Sequence, residues 1–195
     1  MMKTFSLPFG KGTQTVSLDE AHVLYDLHSN PVDAVADEQD AIRQALRHPI
    51  GSAPLKDVVQ AGDTVAIIVS DITRLVHTAQ MLPVIVDELN QAGVRDEQIT
   101  VVTAQGTHRA HTPEEDVIVC GEDMVKRVKV VSHDCRDASQ LTKIGTTTYG
   151  NDVYLNSHVV QADKVILTGA VSFHPMAGFG GGRKAVLPGV ASYET

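Results

Sequence analysis

The segment Thr64-Val-Ala-Ile-Ile-Val69 has no polar side chain after its first residue. A short, continuous apolar run of this kind is typical of a parallel β-strand that is buried on both faces. Three later runs have a similar character, and they are Gln98-Ile-Thr-Val-Val-Thr103, Val128-Lys-Val-Val-Ser132 and Lys164-Val-Ile-Leu-Thr168. We therefore expect four strands of one parallel sheet in this part of the chain.

Helical patterns lie between these strands. The segment from Gln80 to Ala92 has apolar residues at helical spacing, and Gly93 is a suitable C-cap. Thr112-Pro-Glu-Glu has the composition of a helix start, with Thr112 as N-cap. Alternating strands and helices predict an α/β fold with a doubly wound, largely parallel sheet, Rossmann-like in its three layers.

The N-terminal segment has a different pattern, rich in β-formers and turns. Residues 3–30 predict strands at Lys3–Leu7, Thr15–Leu18 and His22–Leu27, with a hairpin turn at Gly10-Lys-Gly12. A helix is predicted from Asp37 to His48, a short second helix from Pro54, and a hairpin from Thr146 to Leu155. We interpret residues 1–195 as a single α/β domain with a small β-rich N-terminal segment.

Composition excludes several classes of function. The chain of 195 residues has a net charge of -8, 4% aromatic residues and no Trp, which argues against a nucleic-acid groove. Two cysteines without a CxxC motif indicate neither a disulfide framework nor a zinc site. No apolar run is long enough for a membrane span, and no secretory leader is visible, so we expect a cytoplasmic protein.

Polar, ionisable residues follow each predicted strand. They are Ser70-Asp-Ile-Thr-Arg74, then Gly106-Thr-His108 with His111, then His133-Asp134, and finally His174 with Arg183 and Lys184. Parallel strands end at one edge of a sheet, so we expect these clusters to converge on one crevice. Asp71 could instead cap a turn, Arg74 could be a surface ion-pair partner, and His133-Asp134 could be a structural hydrogen bond. We expect His111, just before a helix start, to be peripheral.

The loop after the last strand carries the largest share of candidate chemistry. Its glycines, at 178, 180, 181 and 182, let the backbone approach a ligand closely. A phosphate loop of the Walker type is excluded, because Arg183 and Ala185 replace the second Gly and the magnesium-binding hydroxyl. Lys184 could be a Schiff-base nucleophile, an anion ligand or a cofactor attachment point, and the residues alone do not choose among these. His108 and His174 have side chains suited to proton transfer at neutral pH.

Three motifs together resemble one known family. Ser70-Asp-Ile-Thr-Arg74, Gly106-Thr-His108-Arg and His174-Pro-Met-Ala-Gly-Phe-Gly-Gly-Gly-Arg-Lys184-Ala-Val-Leu-Pro-Gly-Val190 are similar to the N-terminal domain of nickel-pincer lactate racemases. The resemblance covers nearly all of this chain and about the first half of a family member. The glycine-rich loop that ends in Arg183-Lys184 is its most specific part.

The resemblance implies an isomerase that racemises or epimerises a small, lactate-like 2-hydroxy acid by reversible hydride transfer. The implied cofactor is a nickel pincer nucleotide, a pyridinium thioamide/thiocarboxylate mononucleotide, tethered to the lysine that matches Lys184. His108 and His174 match the acid/base pair that acts on the substrate hydroxyl, one for each enantiomer. The implied cofactor-binding residues are Lys184, Asp71, Arg74, Gly180, Gly181, Gly182 and Arg183.

The resemblance also implies partners outside this chain. In the family, a further histidine that ligates nickel and a second, substrate-closing domain lie beyond the point that matches Thr195. The last residues, from Pro188, look like a turn and a helix start with Ser192 as N-cap, so we expect an N-terminal part of a longer protein. We expect no metal ligand within the chain. We also expect that the isolated chain has an empty cofactor site and no activity, and that cofactor-maturation proteins are its partners.

Two alternative functions remain open. One is a non-catalytic module that binds a phosphate or carboxylate, and the other is a Schiff-base enzyme using Lys184.

Overall fold

The computed structural model describes residues 1–195, which form two compact units, residues 1–35 and 36–195. In the first unit, β1 (Met2–Phe9) and β2 (Gly12–Asp19) pair antiparallel from Met2 with Asp19 to Phe9 with Gly12. Gly10 in the connecting turn has a φ of 59°, so the predicted hairpin is confirmed. The predicted strand His22–Leu27 is wrong, because the chain makes a 3-10 turn at Glu20–His22 and has no neighbouring strand to satisfy the following backbone groups.

The second unit contains the remaining strands and all the α-helices. Its strands are β3 (Val65–Ser70), β4 (Ile99–Ala104), β5 (Lys129–Ser132), β6 (Leu141–Thr146), β7 (Asp152–Asn156), β8 (Lys164–Leu167), β9 (Phe173–His174) and β10 (Gly178–Phe179). Its helices are α1 (Glu38–Arg47), α2 (Leu55–Val58), α3 (Thr78–Gln91), α4 (Pro113–Cys120), α5 (Glu122–Arg127) and α6 (Ser157–Val160).

One four-stranded parallel sheet organises this unit, with strand order β5-β4-β3-β8. In the register of the central strands, Val65 lies beside Ile99 on one side and Lys164 on the other. These are the four predicted strands, so the predicted parallel sheet is confirmed. Antiparallel hairpins accompany it, and the β6–β7 pair confirms the hairpin predicted between Thr146 and Leu155.

The sheet is buried on both faces, as its apolar strands require. Val65, Ile67 and Val69 pack with Leu82, Val86 and Leu89 of α3 in one cluster. Ala66 and Ile68 point to the opposite face, where they pack with Val102, Val159 and Val190. Each fully buried aliphatic side chain contributes about 1.5–3 kcal/mol. The α/β fold, with layers on both sides of the sheet, is confirmed.

The helix ends follow from the capping residues. Asp37 accepts a hydrogen bond from the backbone N–H of Asp40 at the start of α1. Thr112 and Glu115 form a reciprocal capping box at the start of α4, with Pro113 as its first residue. Both predicted starts are confirmed. None of the helices combines the length and the apolar character that crossing a bilayer requires.

The segment at the chain end is extended rather than helical. The backbone N–H of Ser192 donates to the carbonyl of Tyr154 at 2.9 Å, and Ala191 forms an antiparallel bridge with Leu155. The Oγ of Ser192 accepts from the backbone N–H of Thr195 at 3.0 Å, which is the hydrogen bond that an N-cap side chain makes. The predicted helix start at Ser192 therefore stays a prediction.

Candidate active site

A cavity of 320 Å³ lies at the carboxyl ends of the parallel strands. It is formed by the segments that follow β3, β4 and β8, as the sequence predicts for a crevice of a parallel sheet. Its charged and histidine side chains are Asp71, Arg74, His108, His174 and Lys184, and its glycines are Gly106, Gly180, Gly181 and Gly189. The structure thus brings together three of the four predicted clusters.

Asp71 and His108 form the central contact of the cavity. The Oδ2 of Asp71 lies 2.5 Å from Nδ1 of His108, and its Oδ1 accepts from the hydroxyl of Thr73 at 2.7 Å. Burial acts to raise the pKa of Asp71, but the hydrogen bonds from His108 and Thr73 and the charge of Arg74 outweigh it and hold the pKa below 3.8. Asp71 is therefore a carboxylate that accepts a hydrogen bond from Nδ1–H of His108, and Nε2 of His108 remains for a ligand.

His174 is held by the β9–β10 hairpin, where it pairs with Gly178. Its Nδ1 accepts hydrogen bonds from the backbone N–H groups of Met176, at 3.3 Å, and Ala177, at 3.1 Å. A backbone N–H can only donate, so the proton of the neutral ring is on Nε2. The two histidines of the cavity therefore differ, since neutral His108 has a free lone pair at Nε2 and neutral His174 has an N–H there.

Lys184 lies in a 3-10 turn formed by Gly182–Ala185 and lines the cavity. Burial lowers the pKa of Lys184, and the positive charge of Arg74 lowers it further, while Asp71 opposes the effect. The turn depends on Gly181, which has a φ of 69° and whose Cβ, if present, would lie 2.8 Å from the carbonyl oxygen of Ala170. Lys184 is thus presented by a loop that approaches the backbone at residues 169–170 too closely for a side chain.

The other predicted site residues divide into two groups. Arg74 lines the cavity, half exposed, with Nη1 3.9 Å from Oδ1 of Asp71. Gly180 and Gly181 line it through their backbones. Gly182 and Arg183 are exposed and are not among the lining residues, so the structure does not bring them to the cavity. Their role in cofactor binding stays a prediction.

His111 does not line the cavity, although its side chain is buried. Its side chain is 1% exposed, and its two ring nitrogens bond to the backbone N–H of Ile72 and to Asp116, each at 2.9 Å. The sequence signal that could have indicated this is Asp116, which lies in the first turn of α4 where its carboxylate can reach back to the preceding loop.

His133 is fully buried. Its Nε2 is 2.9 Å from the carbonyl oxygen of Ala191, and its Nδ1 is 3.2 Å from Nδ2 of Asn156. Its side chain does not bond to Asp134, which instead accepts from the backbone N–H of Arg136. His133 therefore anchors the segment after the Lys184 loop and does not line the cavity.

The chain has no group of three or more His, Cys, Asp or Glu side chains placed to hold a metal ion. A ligand of this cavity would meet an amine, a guanidinium, two imidazoles, the carboxylate of Asp71 and a wall of glycine backbone. The amine and the guanidinium suit a small organic anion, because Lys and Arg bind carboxylate or phosphate.

Comparison with known proteins identifies the family. The model of the lactate racemase N-terminal domain family matches residues 9–195. The chain is 36% identical to the lactate racemase of Lactiplantibacillus plantarum over 100% of this chain, and 32% identical to that of Thermoanaerobacterium thermosaccharolyticum over 99%. It spans 46% of each of these curated relatives, which are therefore about twice its length.

Solved structures agree with this result. The lactate racemase apoprotein of T. thermosaccharolyticum has a TM-score of 0.86 at 32% identity, over 97% of this chain and 44% of that one. A Thermotoga maritima protein, with a TM-score of 0.63 at 24% identity over 80% of this chain and 39% of that one, shares the fold. The chain belongs to the lactate racemase N-terminal domain family.

Proposed function

We propose that this chain is the cofactor-tethering and acid/base part of an isomerase that inverts the α-carbon of a small 2-hydroxy acid such as lactate. The observation that carries the proposal is the pair of histidines on one cavity, with a free lone pair on His108 and an N–H on His174. The two relatives described above are both named lactate racemases.

Inversion of a 2-hydroxy acid requires proton transfer at the hydroxyl group. If hydrogen leaves the α-carbon with its electron pair, the hydroxyl becomes a ketone and must lose its proton. When the hydrogen and its electron pair return to the opposite face of the α-carbon, the ketone becomes an alcohol again, and its oxygen must regain a proton. A residue that accepts a proton and one that donates are therefore both needed near the same oxygen.

His108 is the base in this proposal. Its Nε2 takes the hydroxyl proton, and the carboxylate of Asp71 stabilises the imidazolium that forms. His174 donates a hydrogen bond from Nε2–H to the substrate oxygen. For the opposite enantiomer, His174 acts as the base once its proton moves to Nδ1 and the bonds from Met176 and Ala177 are released.

Arg74 binds the substrate carboxylate. It lies at the cavity beside Asp71, half of its side chain is exposed, and its Nη1 donates to the hydroxyl of Thr73 at 3.2 Å, a bond that a ligand carboxylate would replace. A planar guanidinium binds a carboxylate through two parallel hydrogen bonds, and this fixes the orientation of the α-carbon between the two imidazoles.

The residues around Lys184 fit a tethered cofactor. Acylation requires a neutral amine, which the lowered pKa of Lys184 favours, and Gly180 and Gly181 leave space along one wall. When bound, a nickel pincer nucleotide supplies the acceptor for hydrogen that leaves the α-carbon with its electron pair. The protein supplies orientation and proton transfer.

The first test is mass spectrometry of the peptide that contains Lys184, from the full reading frame co-expressed with cofactor-maturation proteins. We expect a cofactor-sized adduct on Lys184 together with interconversion of D- and L-lactate, measured by chiral chromatography. An unmodified Lys184, when the same maturation system loads a known lactate racemase, would contradict the proposal. Binding of carboxylates or phosphate without racemisation would then favour a non-catalytic anion-binding module built on Arg74 and Lys184.

A further inference from the structure

We propose that His111, itself held by Asp116, is a positioning residue that fixes the carboxylate of Asp71 against His108. The inference rests on the proposed function, because the orientation of His108 matters to the reaction only if His108 is the base. It assigns a role to a buried histidine that does not line the cavity.

Three elements meet at the His111 ring and backbone. The Nε2 of His111 lies 2.9 Å from the backbone N of Ile72, at the end of β3. Its Nδ1 lies 2.9 Å from Oδ1 of Asp116 in α4. Its own backbone N–H donates to the hydroxyl of Ser132, at the end of β5. His111 therefore joins the carboxyl end of β3 to α4 and β5.

The protonation state of the ring follows from its partners. A backbone N–H can only donate, so Nε2 of His111 is the acceptor and the ring proton lies on Nδ1. That proton is donated to the carboxylate of Asp116. Both ring nitrogens are occupied, and the side chain is 1% exposed, so His111 has no nitrogen left for a substrate. Its role is to hold a structure rather than to transfer a proton.

The structure that His111 holds is the peptide between Asp71 and Ile72. On one side of this peptide, Asp71 points its carboxylate at Nδ1 of His108. On the other side, the Ile72 N–H is bonded to His111. Rotation of the peptide would move the carboxylate, and a hydrogen bond is sensitive to shifts of a few tenths of an ångström. Anchoring Ile72 therefore fixes the direction from which Asp71 meets His108.

A matched control exists at the opposite end of the same strand. The backbone N–H of Thr64, next to the start of β3, donates to Oδ2 of Asp163 at 2.9 Å. Asp163→Ala and His111→Ala each remove a side-chain acceptor from a backbone N–H beside β3. Asp163 and Thr64, however, do not line the cavity. A loss of strand stability alone would affect both variants.

The first experiment observes the proton between His108 and Asp71 directly, by NMR of the isotope-labelled chain. The proton between His108 and Asp71 is assigned as the downfield resonance that is lost in His108→Gln. We expect His111→Ala to shift it upfield or to broaden it beyond detection through solvent exchange, and Asp163→Ala to leave it unchanged. His111→Gln, whose amide oxygen can accept from Ile72 N–H, should restore it. A resonance that keeps its wild-type position in folded His111→Ala overturns the proposal.

A second variant covers the case in which His111→Ala does not fold. Asp116→Ala removes the partner of Nδ1, a side chain that is 24% exposed, and leaves the His111 ring in place. We expect a smaller change of the same resonance in the same direction, and its absence overturns the proposal.

Kinetics of the cofactor-loaded full reading frame provide a separate readout. We expect His111→Ala to lower kcat about tenfold or more with little change in KM, and His111→Gln to recover most of the rate. Equal rates in wild type and His111→Ala would overturn the positioning role. If wild-type protein racemises no 2-hydroxy acid, the proposed function fails, while the NMR result still decides whether His111 positions Asp71.

Discussion

The carboxylate of Asp71 is 2% exposed and lies 2.5 Å from the imidazole of His108, which is nearly half exposed to the cavity. The buried partner of this pair is thus the charged one, and the exposed partner is the one that can meet a ligand. Hydrogen bonds from Thr73 compensate for part of the burial of Asp71. This arrangement leads to two predictions, one on catalysis and one on acid stability.

Asp71→Asn should lower kcat of the loaded enzyme by about 10²-fold or more, because a neutral amide cannot stabilise the imidazolium of His108. The measurement is the initial rate of racemisation from each enantiomer. D- and L-lactate have equal free energies and His108 transfers a proton in both directions, so kcat/KM should fall by the same factor from either enantiomer. Asp163→Asn, which lies outside the cavity, is the control and should keep the wild-type rate.

Asp71 should also contribute to stability against acid. The pKa of Asp71 is lowered in the folded state, so its contribution is present above 3.8 and is lost as pH falls through the lowered folded value. Urea unfolding of wild type and Asp71→Asn between neutral pH and pH 3 would measure it. The free energies of unfolding should differ most at neutral pH and approach each other in acid. A constant difference across this range would contradict the prediction.

His133 should make the fold sensitive to mild acid. Burial lowers the pKa of His133 from 6.5, more than the bond to Ala191 and the charge of Asp134 raise it. Protonation therefore favours the unfolded chain, and stability is lost as pH falls below 6.5 toward the lowered folded value. His133→Gln cannot titrate, so its free energy of unfolding should depend less on pH in this window. His48→Gln, at an exposed position, should keep the wild-type pH dependence.

Gly181→Ala should be more destabilising than Gly178→Ala. Both glycines have positive φ, 69° and 76°, so both substitutions strain the backbone, by about 1–3 kcal/mol. Only at Gly181 would the added Cβ meet the carbonyl oxygen of Ala170, at 2.8 Å, whereas Gly178 has no atom within 4 Å. Urea midpoints and the yield of modified Lys184 would measure the difference. Equal effects of the two substitutions would show that the close approach to Ala170 contributes nothing.

Much of the sheet could be predicted from local sequence. The apolar runs at Val65 and Ile99 are buried on both faces. Five or six consecutive apolar residues are sufficient to predict such a strand. Parallel pairing then places the carboxyl ends of these strands side by side at one edge of the sheet. This explains why Asp71, His108 and Lys184 could be expected in one crevice without knowledge of their distances.

The features that could not be predicted depend on partners distant in sequence or on the conformation of a turn. His111 is buried because Ile72, 39 residues earlier, offers a backbone N–H to its ring, and no local pattern announces such a bond. Arg183 follows three glycines and precedes Lys184, yet the 3-10 turn leaves it exposed while Lys184 lines the cavity.

The pairing of β8 with β3 has a consequence for the order in which the site is assembled. Thr64 and Asp163 join the starts of these strands across 99 residues, whereas β4 and β5 follow β3 sooner in the chain. During synthesis, Asp71 and His108 emerge well before β8 and the loop that carries Lys184. The wall of the cavity formed by residues 168–189 can close only after this last, most distant strand has docked. Chemistry that depends on that wall, including modification of Lys184, would then occur only in a chain whose sheet is already complete.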